Sequence, residues 1–344
     1  MGTRAGAVAL AVLGMGTAGY GLRAAGYGSP AVEAQAPFAT PSFHHLHLNS
    51  VNPDAAIEFY TKAFPSTAST TFGGQPALAS PNRVLLLFNK VTAPPATQPQ
   101  TAFWHFGWHV ADVRATLDRY LQQNVPLLPL YTGVGTNTVF VSSDTYPGAG
   151  GVLGLTRTQV DEARAKGVKP NRGAGFAYLR GPDDALVEYQ GNMPAERFNH
   201  VHMYQDQPFC AQLWYQRHLH VSSKPSGRTD ANCRVERGPD KTLPALDWDG
   251  MYRTPSITTT AFGDVSLFWY MNQTGTPAAP SRGHLMDHIA LGVRDLDAWI
   301  AKLTREGVTF LSDLSAPAVT GSLRAVMIEG PSREAIELVE VKQP

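Results

Sequence analysis

The sequence lacks an excess of either charge, because 28 Lys and Arg are balanced by 28 Asp and Glu among 344 residues. No long run of one sign appears, so nothing favours nucleic acid or an anionic membrane surface as a partner. Cysteine is also scarce, and only Cys210 and Cys233 are present. They could form one disulfide or stay as two buried thiols. Neither belongs to the repeated pattern described below, which argues against a thiolate ligand or nucleophile.

The N-terminal segment has no uninterrupted apolar run long enough for a bilayer span. Arg4 precedes an apolar, small-residue stretch over 6–22 that glycines interrupt, and Ala34-Gln35-Ala36 resembles a signal cleavage site. We expect residues 1–36 to be a secretory signal peptide, with an uncleaved membrane anchor as the alternative. The absence of a nearby cysteine argues against a lipoprotein. The mature protein is expected to be periplasmic or secreted, without stable membrane association.

One local pattern occurs twice in the chain. His45-Leu46-His47 is followed by Tyr60 and His200-Val201-His202 by Tyr215, each fifteen residues after the first histidine. Two further pairs repeat in register, namely His105 before Asp112 with His288 before Asp295, and Gly181-Pro182 before Glu188 with Gly330-Pro331 before Glu337. Each half therefore supplies two histidines and one glutamate at matched places.

The segments around these residues repeat one order of elements. Each anchor histidine lies in a short alternating strand, a helix follows, and further strands come after it. Asp112 and Asp295 are predicted helix N-caps, and Val113, Leu117 and Leu121 are expected on a buried helix face. The fold class is therefore α+β with four βαβββ modules, divided into domains over 37–192 and 193–344. Insertions are expected over 131–172, with a short helix at 158–166, and over 222–255.

The ligand types in this pattern indicate a divalent-metal site. Residues i and i+2 of a strand share a face, so His105, Gly107 and His109 are expected on one side, away from the apolar face. Two neutral imidazoles and one carboxylate on one side of a metal leave several coordination positions open. This arrangement is associated with non-haem Fe(II) oxygenases and can also hold Mn(II) or Zn(II).

Taken together, these residues resemble the vicinal oxygen chelate superfamily, which includes glyoxalase I, extradiol dioxygenases, fosfomycin-resistance and bleomycin-binding proteins. The resemblance covers roughly residues 40–342 and rests on the strand histidines, on Phe59-Tyr60 and Trp214-Tyr215, and on the Gly-Pro turns before the two glutamates. It implies βαβββ modules that pair around metal-holding cavities. The four-module layout resembles that of extradiol dioxygenases.

The resemblance implies two metal triads, each within one half. The first would be His45, His105 and Glu188, and the second His200, His288 and Glu337. Glyoxalase-type sites take a fourth, acidic ligand from the last strand of the first module of a pair, but neither 84–89 nor 265–270 contains an acid. A three-ligand, dioxygenase-like site is therefore favoured, with Fe(II) preferred over Mn, Zn, Ni or Co.

The two halves differ next to the glutamates. Tyr178 resembles the tyrosine that precedes the ligand glutamate in extradiol enzymes and contacts a substrate oxygen, whereas the second half has Met327 there. An ordinary strand aromatic is the alternative for Tyr178. His47, His109 and His202 could support the ligands or act as acid-base groups, and His109 is the preferred proton shuttle.

These expectations favour an exported metal-dependent enzyme that binds a small molecule through two adjacent oxygens. Extradiol cleavage of a catechol is the sharpest form, with Tyr178 bonded to a substrate oxygen and His109 moving protons. A glyoxalase- or epimerase-like lyase or isomerase is the second hypothesis. A non-catalytic binding or resistance protein on the same fold is the third. The number of occupied metal sites and assembly into a homo-oligomer are left open.

Overall fold

The computed structural model describes residues 38–130, 138–144, 162, 165–168, 174–223, 226–235, 257–272, 274–314, 318–320 and 322–342. The predicted signal peptide lies outside these residues, as do most of the expected helix at 158–166 and large parts of both predicted insertions. Within the described ranges, no helix is both long and apolar enough to span a membrane.

The described residues form four α-helices and fifteen strands. The helices are α1 (Pro53–Ala63), α2 (Val113–Gln122), α3 (Pro208–Leu219) and α4 (Leu296–Arg305). The strands of the first two modules are β1 (Ser42–Ser50), β2 (Ala68–Phe72), β3 (Gln75–Ala79), β4 (Leu85–Lys90), β5 (Phe103–Val110), β6 (Leu127–Leu128), β7 (Phe176–Arg180) and β8 (Leu186–Gly191). Those of the last two are β9 (Arg197–Gln205), β10 (Ile257–Phe262), β11 (Val265–Met271), β12 (Met286–Val293), β13 (Ala318–Thr320), β14 (Leu323–Glu329) and β15 (Ala335–Glu340).

The helices begin where the sequence places their caps. The Asp112 carboxylate accepts hydrogen bonds from the backbone N–H groups of Arg114 and Ala115 at 2.8 and 3.0 Å. Asp295 accepts one from Ala298 at 2.9 Å. Both predicted N-caps are confirmed. The predicted buried face of α2 is wrong at its last position: Leu121 is 51% exposed, because the helix turns Val113, Thr116 and Tyr120 inward instead.

The strands form two mixed sheets, which confirms the α+β class. One sheet has the order β13-β14-β15-β12-β1-β4-β3-β2, and the other β10-β11-β9-β5-β8-β7-β6. At each centre, the first strands of two modules run antiparallel, and the last strand of each module lies parallel beside its own first strand. The described part of the third module has two strands after its helix, and the other modules have three.

The sheets combine modules from different halves of the sequence. The first module shares a sheet with the fourth through β1 and β12, and the second shares one with the third through β5 and β9. The predicted boundary at residue 192 therefore does not separate the two sheets. Only residues 192–196 connect β8 to β9, and this short connection keeps the second and third modules adjacent. The free edges of β1 and β12 then pair with each other.

A common core lies between the sheets. Tyr60 of α1 contacts Phe88 in one sheet and Trp108 in the other, with ring centroids 6.0 and 5.9 Å apart. The repeated tyrosines also reach the repeated Gly-Pro turns. The hydroxyl of Tyr215 donates to Glu334 at 2.8 Å, and a Cβ at Gly181 would lie 2.6 Å from the Tyr60 hydroxyl. Only glycine therefore fits at position 181.

The two cysteines form a disulfide. Cys210 of α3 is bonded to Cys233, 23 residues further along the chain. Of the two alternatives left by the sequence, the structure therefore gives the bridge. It ties the described part of the second insertion, 226–235, to the helix of the third module.

Candidate metal centres

The six predicted ligands and two further histidines form two buried groups with the same design. The first group, called the β1–β12 site, contains two residues of β1, one of β12 and one of β15: His45, His47, His288 and Glu337. The second, called the β5–β9 site, contains one residue of β5, one of β8 and two of β9: His105, Glu188, His200 and His202.

The prediction that each triad lies within one half is wrong. His45 lies beside Glu337, with Nε2 3.4 Å from the carboxylate, and His200 lies 3.6 Å from Glu188. The predicted ligands do lie together, but their partners are exchanged between the halves. All four modules carry the same strand pattern, so the sequence repeat does not distinguish which first strands pair.

The donor atoms of the β5–β9 site converge on one point. His105 Nε2 is 3.1 Å from one oxygen of Glu188, and His202 Nδ1 is 4.0 Å from the same oxygen. With His200, these residues offer four donor atoms that all lie within 4.8 Å of one another. Donors bound to one ion at 2.0–2.2 Å lie at most ~4.4 Å apart, so small shifts would let a single ion contact all four.

The β1–β12 site repeats this geometry. His288 Nε2 is 3.7 Å from the Glu337 carboxylate. Donor atoms of His45, His47 and His288 lie within 4.8 Å of one another. The strand registers match as well, because His47 lies directly opposite His288 just as His202 lies opposite His105.

Four of the histidines, His45, His105, His200 and His288, each follow a β-bulge. In each case, the residue before the histidine is the extra residue that the opposite strand does not match. These four residues are His44, Trp104, Asn199 and Asp287. A bulge inserts one residue and re-aims neighbouring side chains, and bulges are frequent beside active sites. Each bulge places the side chain of the extra residue next to the ligand histidine. Regular alternation would turn that side chain to the opposite face.

Three of the bulged residues contact the second ring nitrogen of their histidine. Asp287 Oδ1 is 2.6 Å from His288 Nδ1, and Asn199 Oδ1 is 2.8 Å from His200 Nδ1. His44 Nδ1 lies 2.9 Å from His45 Nδ1. Such contacts fix the orientation and tautomer of a metal-binding imidazole and leave Nε2 for the ion. Trp104 instead packs its ring on His105, at 4.3 Å between centroids.

Gly107 leaves room for a ligand ring. It lies opposite His200 in the sheet, and a Cβ at this position would be 2.4 Å from His200 Cε1. The equivalent position of the other site, opposite His45, is Ala290. Gly107 therefore has a specific reason to be small, because it leaves space for an imidazole ring.

Burial keeps most of these imidazoles neutral. It lowers the pKa of His45, His105, His200 and His202 well below the usual value, and that of His47 to about 4. Neutral imidazole is the form that binds a metal. Burial also raises the pKa of Glu188, against the opposing effects of His200 and of a hydrogen bond from Tyr178.

Asp287 makes the β1–β12 site electrostatically different. Burial alone would raise the pKa of this carboxyl, but the hydrogen bond with His288 and the contacts with Gly283 and Arg282 lower it to about 2. Burial lowers the pKa of His288, yet its hydrogen bonds with Asp287 and Glu337 outweigh burial and raise it. This site therefore carries a second buried carboxylate, where the β5–β9 site has Trp104.

A metal ion fits the buried atoms that these groups leave without partners. His45 Nε2, His200 Nε2, His202 Nδ1 and His288 Nε2 have no hydrogen-bond partner among the described residues. Unsatisfied buried polar atoms cost about 1–3 kcal/mol each, and a cation coordinated by them would remove that cost. Imidazole and carboxylate donors suit Fe(II), Zn(II), Mn(II), Co(II) or Ni(II).

Comparison with known proteins agrees with this architecture. Residues 42–144 match the model of the Glyoxalase/Bleomycin resistance protein/Dioxygenase superfamily. Over these residues, the chain is similar to the vicinal oxygen chelate superfamily.

Solved structures support the same fold over most of the chain. Glyoxalase I from Zea mays is 14% identical, with a TM-score of 0.55 over 88% of this chain and 92% of that one. A mutant of that enzyme gives a TM-score of 0.52, also at 14% identity, over 88% of this chain and 94% of the mutant chain. No curated protein matches the sequence. At such identities, the similarity of this chain to glyoxalase I concerns the fold alone.

Of the two residues predicted to act beside the metal, Tyr178 contacts a predicted ligand and His109 does not. Tyr178 is buried, pairs with Glu188 across β7 and β8, and donates a hydrogen bond to its carboxylate. Met327 pairs with Glu337 in the same register, as predicted. His109 lies outside the four-donor group, and its Nε2 is 2.6 Å from the Asn199 side chain, which in turn contacts His200.

Sequence reasoning missed the roles of the residues that precede the ligands. His44, Trp104, Asn199 and Asp287 are not among the site residues predicted from the sequence. A bulge is not visible in an alternating pattern, and regular alternation would turn the residue before a ligand histidine to the opposite face. The available signal was their position, since each immediately precedes a repeated histidine.

Proposed function

We propose that this protein is a divalent-metal-dependent enzyme of the superfamily that binds a small molecule through two adjacent oxygens. The support is the convergence of three imidazoles and one carboxylate in the β5–β9 site, and of three imidazoles in the β1–β12 site, where Glu337 lies beside two of them. When bound, a divalent metal lowers the pKa of a coordinated hydroxyl and stabilises negative charge on the adjacent oxygens. The protein residues described next determine which site and which substrate are involved.

The β5–β9 site is the proposed catalytic site because it contains Tyr178. Its hydroxyl donates to Glu188, and its ring lies 5.1 Å from that of His105. A hydroxyl at this place can orient the carboxylate and donate to a substrate oxygen. The equivalent Met327 of the β1–β12 site has no hydroxyl.

The walls beside the two sites favour different ligands. The register partner of His202 is Phe268 and that of Tyr204 is Tyr270, whereas the equivalent pairs in the other sheet are His47 with Leu87 and Asn49 with Asn89. Trp104 completes the aromatic wall, with its ring 5.1 Å from Tyr204 and 5.3 Å from Tyr270. Its counterpart is Asp287. Aromatic side chains stack on planar rings, so the proposed substrate of the β5–β9 site is aromatic.

The sharpest form of the proposal is therefore Fe(II)-dependent, O2-consuming cleavage of a catechol ring. Tyr178 would donate a hydrogen bond to one substrate oxygen and keep Glu188 oriented. His109 would be the proton carrier, because it is half-buried and its Nε2 contacts Asn199, which in turn contacts His200. The aromatic wall would hold the ring and exclude water.

A second reaction class is favoured by one observation. His202 Nδ1 lies with the other donors and offers a fourth one, the role that an acid has in glyoxalase-type sites. A lyase or isomerase that stabilises an enediolate without consuming O2 would use such a closed donor set. It needs a general base near the substrate, and His109 is the available candidate.

We also propose that the protein is exported and acts in the periplasm or outside the cell. The support is the predicted signal peptide and the Cys210–Cys233 disulfide, since disulfides persist mainly in oxidising compartments.

Metal-loaded protein assayed against a panel of catechols tests the function. Fe(II)-loaded protein, purified without oxygen, should consume O2 and produce ring-fission absorbance, and His200→Ala should reduce the rate far more than His45→Ala. Tyr178→Phe should lower kcat by about 10–100-fold, in the range of a lost acid-base or hydrogen-bonding group. Turnover with Zn(II), Ni(II), Co(II) or Mn(II) without oxygen uptake would support the lyase or isomerase. Absence of bound metal in the wild type and in both histidine variants would contradict the metal-dependent function.

A further inference from the structure

We infer that His47 and His202 are metal ligands through Nδ1, so that each site has three imidazoles and one carboxylate. The inference rests on the proposed metal-dependent function and specifies its donor set. Sequence reasoning gave these histidines a supporting or acid-base role and favoured three ligands. The geometry points to four.

Strand geometry places His202 among the donors. His200 and His202 are two residues apart on β9 and therefore share a face, and His202 lies directly opposite His105 on β5. The ring centroids of His202 are 4.4 Å from His105 and 4.7 Å from His200. Its Nδ1 is 4.0 Å from the Glu188 carboxylate, a separation that two donors on one ion can have.

The state of Nδ1 supports this role. His202 is 7% exposed, and its Nδ1 has no hydrogen-bond partner among the described residues. A proton carrier needs a partner that supplies or receives the proton, but this nitrogen faces the other donors. A cation would satisfy it together with the nitrogen of His200 that points to the same place.

The second site gives an independent copy of the arrangement. His47 lies opposite His288 with ring centroids 4.5 Å apart, and its Nδ1 is also buried without a partner in the described part of the chain. The two sites have different walls, yet both keep this histidine and the same ring nitrogen. Packing against the walls therefore does not explain why both sites have this histidine, whereas a common donor set does.

The neighbouring strand explains why a histidine is needed. In glyoxalase-type sites, the last strand of the first module supplies a fourth, acidic ligand. Here the residues of that strand paired with His47 and His202 are Leu87 and Phe268, neither of which can bind a metal. The second histidine of each His-x-His motif supplies the missing donor from the adjacent strand.

The number of donors limits the chemistry. A six-coordinate ion with three protein ligands keeps three positions, and one with four keeps two. Two positions accommodate both oxygens of a vicinal diol and no additional reactant. Four protein donors therefore favour the lyase or isomerase, whereas three would favour the O2-consuming ring cleavage, so the donor count decides between the two reaction classes proposed above.

X-ray absorption spectroscopy of the full-length protein loaded with Zn(II) alone tests the inference. Two zinc ions per chain are expected, each with three imidazoles. His202→Gln and His47→Gln should each weaken zinc binding at one site by at least about tenfold in chelator competition, because even residues that only orient ligands change affinity 10–100-fold. His218→Gln is the control, since His218 bonds Glu306 away from both groups, and it should bind zinc like the wild type.

The outcomes separate this inference from the proposed function. Two imidazoles per zinc in the wild type would overturn the four-donor assignment and leave the metal-dependent function standing. Wild type that binds no metal would contradict both. Circular dichroism of each variant checks folding, and the imidazole count in the wild type decides the question independently of the variants.

Discussion

At the scale of single residues, the sites depend on what precedes and what faces each ligand. His45, His200 and His288 each have Nδ1 in contact with the bulged residue that precedes them, which orients the ring. Gly107 leaves the space that the His200 ring occupies. Gly107 and Asn199 are not among the donors, yet they determine where the donor atoms lie.

Gly107→Ala is expected to weaken metal binding at the β5–β9 site alone. The added Cβ would lie 2.4 Å from His200 Cε1 and 2.6 Å from the Glu188 carbonyl oxygen, so the ring must move. We expect a loss of about one metal ion per chain at limiting metal and a decrease of ~1–3 kcal/mol in unfolding free energy from overpacking. Metal analysis and urea unfolding measure these effects. Ala290→Gly, at the matched position, should keep both ions, and equal metal loss in the two variants would contradict the interpretation.

At the scale of elements, helices and strands have different roles. The helices cover the apolar faces of the sheets, as their caps and inward residues show, while the central strands carry the donors. Strand histidines, helix caps and the modular order could be predicted from the sequence because they depend on local patterns. The bulges and the exchange of partners could not, since both depend on how two distant strands pair.

Asp112→Ala is expected to reduce stability without changing the metal sites. Loss of the two capping hydrogen bonds at the start of α2 should lower the unfolding free energy by ~1 kcal/mol, because two backbone N–H groups lose their acceptor. Asp118→Ala, exposed on the same helix, is the control and should have little effect. Urea unfolding and metal affinity should be measured together. A large loss of metal affinity in Asp112→Ala would contradict the separation of helix and site.

At the scale of the whole molecule, each metal site joins segments that are distant in sequence. The β1–β12 site connects the first and last modules, and the β5–β9 site connects the middle two. A bound ion therefore links strands from both halves of the chain. The predicted division at residue 192 describes the order of the repeats, whereas the sheets and sites follow the pairing.

Removal of metal is expected to destabilise the entire fold. A ligand present at 1,000 times its Kd adds about 4.1 kcal/mol to the unfolding free energy, so dialysis against a chelator should lower the urea midpoint by the corresponding amount. The His45→Ala and His200→Ala double variant lacks one donor in each site and should respond far less to the chelator. If wild type and double variant respond equally, the stabilising ions do not occupy these sites.

Because the two sites combine different modules, their donor sets are completed at different times during translation. Glu188 and His105 are 83 residues apart, and Gln190 and His200 are 10 apart, so all four donors of the β5–β9 site have been translated once β9 has left the ribosome. Across the β1–β12 pairing, Asn49 and Asp287 are 238 residues apart. A nascent chain that ends before Met286 holds a complete donor set for one ion and half a set for the other. Occupation of the β1–β12 site therefore marks a chain whose translation has reached the fourth module.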